Sequence, residues 1–146
     1  YIFSNESGLH SDILKLLADK GETVDEIVGF AEGMQGLMLQ VKVSKDAIDI
    51  VGTGGDGSNS FNISTISAII TAACGVPVAK HGNRGSRKPN GSFDLLEVLD
   101  VNFELTAGQE SDIFKKTGLA FLFARAHHPD MKIVGAARAK LESRSI

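Results

Sequence analysis

Four glycines in six residues, Gly52-Thr-Gly-Gly-Asp-Gly57, are the first feature of the chain with chemical meaning. A glycine-rich turn brings backbone N–H groups close to a ligand and can cradle an anion. Gly52, Gly54 and Gly57 also satisfy G-x-G-x-x-G, after a strand-like run and before a helix-like one. Two observations argue against a dinucleotide site. Residues 58–62 separate the loop from the helix, and no Asp or Glu occurs between Asp56 and Asp94, where a ribose-binding acid belongs. A Walker loop is excluded because no Gly-Lys-Ser/Thr follows at the required spacing.

The same stretch, from Gly57 to Phe93, holds Lys80, Arg84, Arg87 and Lys88 as its only charged side chains besides His81. All four lie in one segment, Lys80–Ser92, punctuated by Gly and Pro and therefore read as a loop. If the strand before each loop is parallel to the other, both loops emerge on one sheet edge. Glycine loop, basic loop and the start of the intervening helix then converge on a site for a phosphate-rich anion. Asp56 in such a place points to hydroxyls of the ligand or to a metal bound with it. The alternative is a tight turn beside a solvated basic surface.

The elements that must carry these loops follow from periodicity. Residues 47–51 (AIDIV) read as a strand, 63–74 as an apolar helix closed by Gly75, and 76–79 (VPVA) as a second strand. That is a βαβ unit with parallel strands. A short helix is expected over 94–99 and a capped one from Thr106 to about Lys116, with Gly118 after it. The apolar run 119–124 suits a strand buried on both faces, and Pro129 suits the start of a final helix over 129–141. Before residue 47 the pattern is helical only. A helix over 9–20 ends at Gly21, and Thr23-Val-Asp-Glu26 opens another running to about Gln40. The fold expected is α/β, a partial parallel-sheet domain with helices packed on it over 47–146, preceded by a small all-helical region over 1–46. Gly29, Gly33 and Gly36 in the second helix allow close helix contact, which makes it a candidate dimer surface.

Composition bounds the rest. The chain has 146 residues, a net charge of −3 and 42% hydrophobic residues, within the range of one globular domain. No apolar run reaches membrane-spanning length and no secretory signal is visible, so a cytoplasmic, non-membrane protein is expected. One cysteine, Cys74, excludes an internal disulfide and reads as a small buried side chain. His127-His128 lacks metal-ligand spacing and reads as capping before Pro129. Phe114, Phe121 and Phe123 read as core. The charge gives no reason to expect nucleic acid as a partner.

Taken in order, Asp49-Ile-Val-Gly-Thr-Gly-Gly-Asp56, Ser60-Phe-Asn-Ile-Ser-Thr65, Lys80-His-Gly-Asn-Arg84, Gly91-Ser92 and Asp94-Leu-Leu-Glu97 resemble the anthranilate phosphoribosyltransferases of tryptophan biosynthesis. Gly118–Ala124, His128-Pro-Asp-Met-Lys132 and Lys20-Gly-Glu-Thr23 extend the resemblance from about residue 9 onward. It implies transfer of a phosphoribosyl group from phosphoribosyl pyrophosphate to the amine of anthranilate, with Mg2+ as cofactor and a homodimer as the assembly. On matching positions it implies that Gly52, His81, Asn83 and Arg138 border anthranilate. Gly52, Gly55, Asp56, Ser60, Asn62, Ser64, Thr65, Lys80, Gly82, Asn83, Arg84, Lys88 and Ser92 would surround phosphoribosyl pyrophosphate, and Ser64 would also contact the metal. No residue is assigned as acid or base.

The chain departs from the family at several points. Arg87-Lys88 stands where two serines are common, Pro89 stiffens the same loop, and Phe93 replaces a small residue beside the site. Ala136-Ala137 stands where proline and valine are usual, and Glu142 stands at a common glycine position. The family's acidic magnesium pair, placed in its second half, has no counterpart here. The chain is therefore expected to be an interior piece, inactive alone. The alternatives are a non-catalytic polyanion- or nucleic-acid-binding relative, suggested by Arg87-Lys88, and a pyrimidine nucleoside phosphorylase.

Overall fold

The structure, a computed structural model, describes residues 10–52, 61–85, 89–132 and 135. Those residues fall into two compact units: the part up to Met38 with the part from His128 on, and the part from Leu39 to His127.

The first unit contains α1 (His10–Lys20) and α2 (Val24–Leu37). Gly21 ends α1 at φ 79°, a left-handed conformation that glycine adopts without a Cβ penalty. The predicted capping box then starts α2: Thr23 Oγ1 accepts from Glu26 N at 3.3 Å, and the Glu26 carboxylate accepts from Thr23 N at 2.9 Å. Lys20 donates to the same carboxylate at 2.7 Å. That bond, more than the two from Thr23, holds Glu26 down to a pKa of about 2. Among the described residues α2 buries nothing, and a Cβ on Gly29 or Gly36 would meet no atom within 4 Å. The expected close contact along these glycines is therefore not made within the described residues.

The second unit is built on a parallel sheet, as expected, but a smaller one. Strands β1 (Val78–Gly82) and β2 (Leu119–Phe123) pair from Val78↔Leu119 to Gly82↔Phe123. The strand expected over 47–51 is reduced to one parallel bridge, Ile48↔Val78, made by Ile48 N to Pro77 O (3.0 Å) and Ala79 N to Ile48 O (3.0 Å). The second strand starts at Val78 rather than 76 because Pro77 has no N–H to give to a ladder. It runs on to Gly82, so Lys80 and His81 are strand residues and not loop residues. In β2 only Ala120 is buried, so burial on both faces is not reached.

Helix α3 (Ile63–Ala73) connects the bridge segment to β1. Thr65 and Ala68 are buried, while Ile63, Ile66, Ile69 and Ile70 are exposed among the described residues. Cys74 caps this helix and is exposed, not buried as its residue type suggested. Helix α4 (Ser92–Val98) starts two residues earlier than expected. Helix α5 (Ala107–Thr117) has the predicted box from Thr106 to Gln109 and ends at Gly118, φ 70°.

The core sits between α4 and β2. Phe93, Leu96 and Phe103 are fully or almost fully buried, with Phe121 and Phe123 packed against them. Phe93 meets Phe103 edge-on at 5.1 Å and Phe123 at 4.7 Å between ring centroids. Phe93 therefore fills the core and does not stand in the site. Burying one such side chain stabilises by roughly 1.5–3 kcal/mol.

One turn of helix, α6 (Ala124–His127), follows β2. His127 is buried and is not a surface cap for Pro129. Its Nε2 lies 2.9 Å from Glu110 Oε1, and its Nδ1 lies 3.3 Å from the Leu39 carbonyl. Leu39 N donates back to the His127 carbonyl at 2.9 Å. The two ring nitrogens thus tie α6 to α5 and to the Leu39 backbone. The helix expected over 129–141 lies mostly outside the described residues.

Candidate functional site

The site assembles at the C-terminal end of β1. Parallel pairing with Ile48 and Leu119 carries the chain out at Gly82, and residues 83–85 lead away from the sheet edge. The start of α3 lies beside them through a single tie: Asn62 Nδ2 donates to the Gly91 carbonyl at 2.8 Å. Asn62 occupies the N-cap of α3 but gives its side chain to Gly91 and does not cap the first turn. In that turn Ser64 is half-buried, and Thr65 is fully buried with its Oγ1 lacking a hydrogen-bond partner among the described residues. Among the described residues, the first-turn N–H groups of α3 and the Thr65 hydroxyl are therefore donors with no side-chain acceptor.

Lys80 lies under this edge. It is 1% exposed, and its ammonium donates to the Ile50 carbonyl at 2.7 Å and to the His81 carbonyl at 3.4 Å. Burial pushes its pKa down, and the Asp49 charge partly restores it. The Asp49 carboxylate accepts from His81 N at 3.1 Å. Lys80 and Asp49 thus fasten the segment that leads into the glycine loop to the middle of the sheet. Lys80 is a buried cation behind the site rather than a cation on a flexible loop.

Gly82 is closely covered. A Cβ there would lie 3.1 Å from Ser92 Cβ and 3.3 Å from the Phe93 ring. This close approach places Ser92 against the strand end. Asn83 is exposed; its side-chain oxygen accepts from Arg84 N at 2.8 Å, and its carbonyl accepts from Phe93 N at 3.3 Å.

Arg84 has its charge answered inside the protein. Nη1 and Nη2 donate to the two oxygens of Glu97 at 2.6 and 2.9 Å, Nη1 lies 3.6 Å from Asp94 Oδ1, and the guanidinium lies 5.5 Å from the Phe103 ring centre. The Glu97 bond raises the arginine's pKa and lowers that of the glutamate. Gly91, Asp94 and Glu97, part of the motifs but given no role from the sequence, order this loop. The signal for them was Gly91-Ser-Phe-Asp94, a capping spacing whose carboxylate accepts from Gly91 N at 2.8 Å.

Asn62, Ser64, Thr65, Lys80, Gly82, Asn83 and Ser92 are therefore gathered around one sheet edge, with His81 half-buried on β1 beside them. Gly52, the first residue of the glycine loop, is exposed, and residues 53–60 lie outside the described residues. Gly55, Asp56, Ser60, Lys88 and Arg138 lie outside the described residues. Magnesium binds oxygen ligands, usually through one or two carboxylates together with substrate phosphates. The described residues offer Ser64 and Thr65 hydroxyls near the helix start and no cluster of three His, Cys, Asp or Glu side chains. They do not form a magnesium centre by themselves.

The profile of the "Glycosyl transferase family, a/b domain" matches residues 44–146. The chain belongs to this family. It is 49% identical over 133 residues to an anthranilate phosphoribosyltransferase of Methylobacterium radiotolerans, covering 91% of the chain and 39% of the relative. It is 51% identical over 127 residues to that of Afipia carboxidovorans, covering 87% and 38%. It thus spans about two fifths of the length of the curated relatives it matches. Its fold matches the crystal structure of anthranilate phosphoribosyltransferase from Thermus thermophilus with a TM-score of 0.91 at 39% identity, covering 99% of this chain and 45% of that one. It also matches the Saccharomyces cerevisiae enzyme, solved in complex with phosphoribosyl pyrophosphate and Mg, with a TM-score of 0.81 at 29% identity, covering 92% and 39%. The resemblance carried by the motifs and the α/β fold it implied both hold. No helix of the described residues is long and apolar enough to cross a membrane.

Proposed function

We propose that the complete protein transfers the phosphoribosyl group of phosphoribosyl pyrophosphate to the amine of anthranilate and releases pyrophosphate. In this reaction the anomeric C–O bond breaks, a C–N bond forms and the amine loses a proton. Charge develops on the departing pyrophosphate while the sugar becomes oxocarbenium-like. Catalysis of such a step rests on positioning and on donors held where charge appears.

The observation that carries the reading is the start of α3, where Asn62 turns its side chain to Gly91 and the buried Thr65 hydroxyl has no partner among the described residues, with Asn83 and Ser92 at the same sheet edge. Ser64, Thr65, Asn62 and Ser92 are the donors for phosphate oxygens, joined by Gly55, Asp56, Ser60 and Lys88 from the sequence. Lys80 supplies positive potential from behind and fixes the approach to Gly52. Gly82 lets Ser92 reach the strand end. Gly52, His81, Asn83 and Arg138 frame anthranilate, where an arginine suits its carboxylate by a two-point contact. Arg84 serves through the loop it anchors on Glu97. Magnesium arrives with the pyrophosphate, contacts Ser64 and neutralises part of its charge. The helical region over 1–46 forms the dimer surface through Val24, Ile27 and Val28, all exposed on α2.

The test is a side-by-side assay of the complete protein with magnesium. One arm supplies anthranilate and phosphoribosyl pyrophosphate, and the other a pyrimidine nucleoside and inorganic phosphate. Phosphoribosyl-anthranilate from the first arm alone is expected. Turnover only in the second would replace the reading with a nucleoside phosphorylase, and salt-sensitive DNA binding without turnover would replace it with a polyanion-binding relative.

A further inference from the structure

We propose that Asp94 is a positioning residue: its carboxylate clamps the two ends of the 85–91 loop so that Asn62, Asn83 and Ser92 face one substrate. The inference rests on the reading of this edge as the phosphoribosyl pyrophosphate site. Asp94 itself is 8% exposed and faces the loop base, not the site.

The geometry is specific. A single oxygen, Asp94 Oδ2, accepts from Gly85 N at 2.7 Å and from Gly91 N at 2.8 Å. These two N–H groups are six residues apart, and both bonds are partly buried. The second oxygen, Oδ1, lies 3.6 Å from Arg84 Nη1, and Arg84 is itself held by both oxygens of Glu97. Four groups thus form one connected unit: the Gly85 and Gly91 amides, the Asp94 carboxylate and the Arg84–Glu97 pair.

The clamp draws the loop ends closer than side chains permit. A Cβ on Gly91 would stand 2.4 Å from Arg84 C, 2.4 Å from Gly85 N and 2.5 Å from Asn83 O. From the clamped Gly91 two further links run to the site. Its carbonyl accepts from Asn62, which fixes the start of α3, and Ser92 follows it in sequence against Gly82. Asn83 stands on the other side of the same closure. A change at Asp94 therefore reaches three site residues without touching substrate. A carboxylate accepting backbone N–H bonds in a semi-buried setting is among the stronger arrangements available to a loop.

The test uses the complete protein as parent, D94A and D94N. An asparagine oxygen can accept the same two N–H bonds, whereas alanine accepts none. Two quantities are read: hydrogen exchange of the Gly85 and Gly91 amides, and the KM for phosphoribosyl pyrophosphate against kcat. D94A is expected to lose exchange protection at both glycines and to raise KM by about tenfold or more, within the range that small displacements cost. D94N is expected to restore protection at both and most of the KM. Unchanged protection in D94A overturns the clamp. Lost protection with an unchanged KM, or equal loss of thermal stability in D94A and D94N with parental KM in both, overturns its role in positioning. A parent without turnover would refute the functional reading, and the exchange arm would still decide the clamp.

Discussion

Replacing Gly91 by alanine should be among the most damaging small substitutions in the Leu39–His127 unit. An added Cβ would sit 2.4 Å from Arg84 C and Gly85 N and 2.5 Å from Asn83 O, all backbone atoms of one strand exit. Ordinary contact would require the two segments to part by about 1 Å, since packed interiors do not tolerate such overlap. Two hydrogen bonds with side chains meet at this residue, each 2.8 Å long: Asn62 Nδ2 to its carbonyl and its own N–H to Asp94 Oδ2. Parting by that distance would break both. A neutral bond contributes about 1 kcal/mol and one to a charged group about 1.5–3 kcal/mol. Overpacking adds about 1–3 kcal/mol. A loss of at least about 3 kcal/mol follows. With an m-value near 2 kcal/mol/M, the urea midpoint should fall by roughly 1.5 M. The control is Gly108→Ala, in the first turn of α5, where the nearest atom to a Cβ is Thr106 Oγ1 at 3.9 Å. There the helix propensity of alanine should raise stability by about 0.5–1 kcal/mol. Urea unfolding of both variants in the complete protein, followed by tryptophan-independent far-UV signals, measures the pair. A Gly91→Ala variant within about 0.5 kcal/mol of the parent would show that the loop ends are not pressed together, and the reasoning would fail.

Other expectations can be checked alongside. Glu110→Ala leaves the buried Nε2 of His127 without its carboxyl partner and should destabilise by about 3 kcal/mol, whereas Glu110→Gln can still hydrogen-bond Nε2 and should cost much less; thermal midpoints separate the two. Glu26 should titrate by NMR near pH 2, and Lys20→Met should move it back toward the usual carboxylate range. Its folded-state pKa lies below its unfolded one, so its contribution to stability is present above about pH 4.5 and disappears as the pH falls through about 2. Lys80→Ala removes a fully buried side chain and its bond to Ile50, so it should weaken both folding and phosphoribosyl pyrophosphate affinity; calorimetry showing parental affinity would refute the role of Lys80 behind the site. Thr106→Ala should cost about 1 kcal/mol through loss of the α5 cap, seen as a lower denaturant midpoint.

Much of the fold was legible because local chemistry dictates it. The Thr23/Glu26 and Thr106/Gln109 boxes and the glycines at 21 and 118 mark helix ends by requirements of one turn. What required tertiary structure was less legible. Residues 47–51 have the composition of a strand, but only Ile48 makes a bridge to Val78. Lys80 looked like a loop cation because it precedes a basic run; the ladder to Phe121 makes it a strand residue with a buried ammonium. Phe93 stood out only as a large residue in place of a small one, because side-chain direction in a new helix turn is not written in sequence; it points at Phe103 and Phe123. The two-point contact of Arg84 with Glu97, thirteen residues on, was also not legible from the basic run alone. His127 likewise needs Glu110 and Leu39 beside it before its burial makes sense.

The central claim is that this sheet edge belongs to a phosphoribosyl transfer site. Its most direct test is the product balance of the complete protein incubated with anthranilate, phosphoribosyl pyrophosphate and magnesium. The prediction is one phosphoribosyl-anthranilate formed for each pyrophosphate released, with neither product when anthranilate is omitted. Pyrophosphate or phosphate released without a coupled C–N product, or no turnover at all, would contradict it.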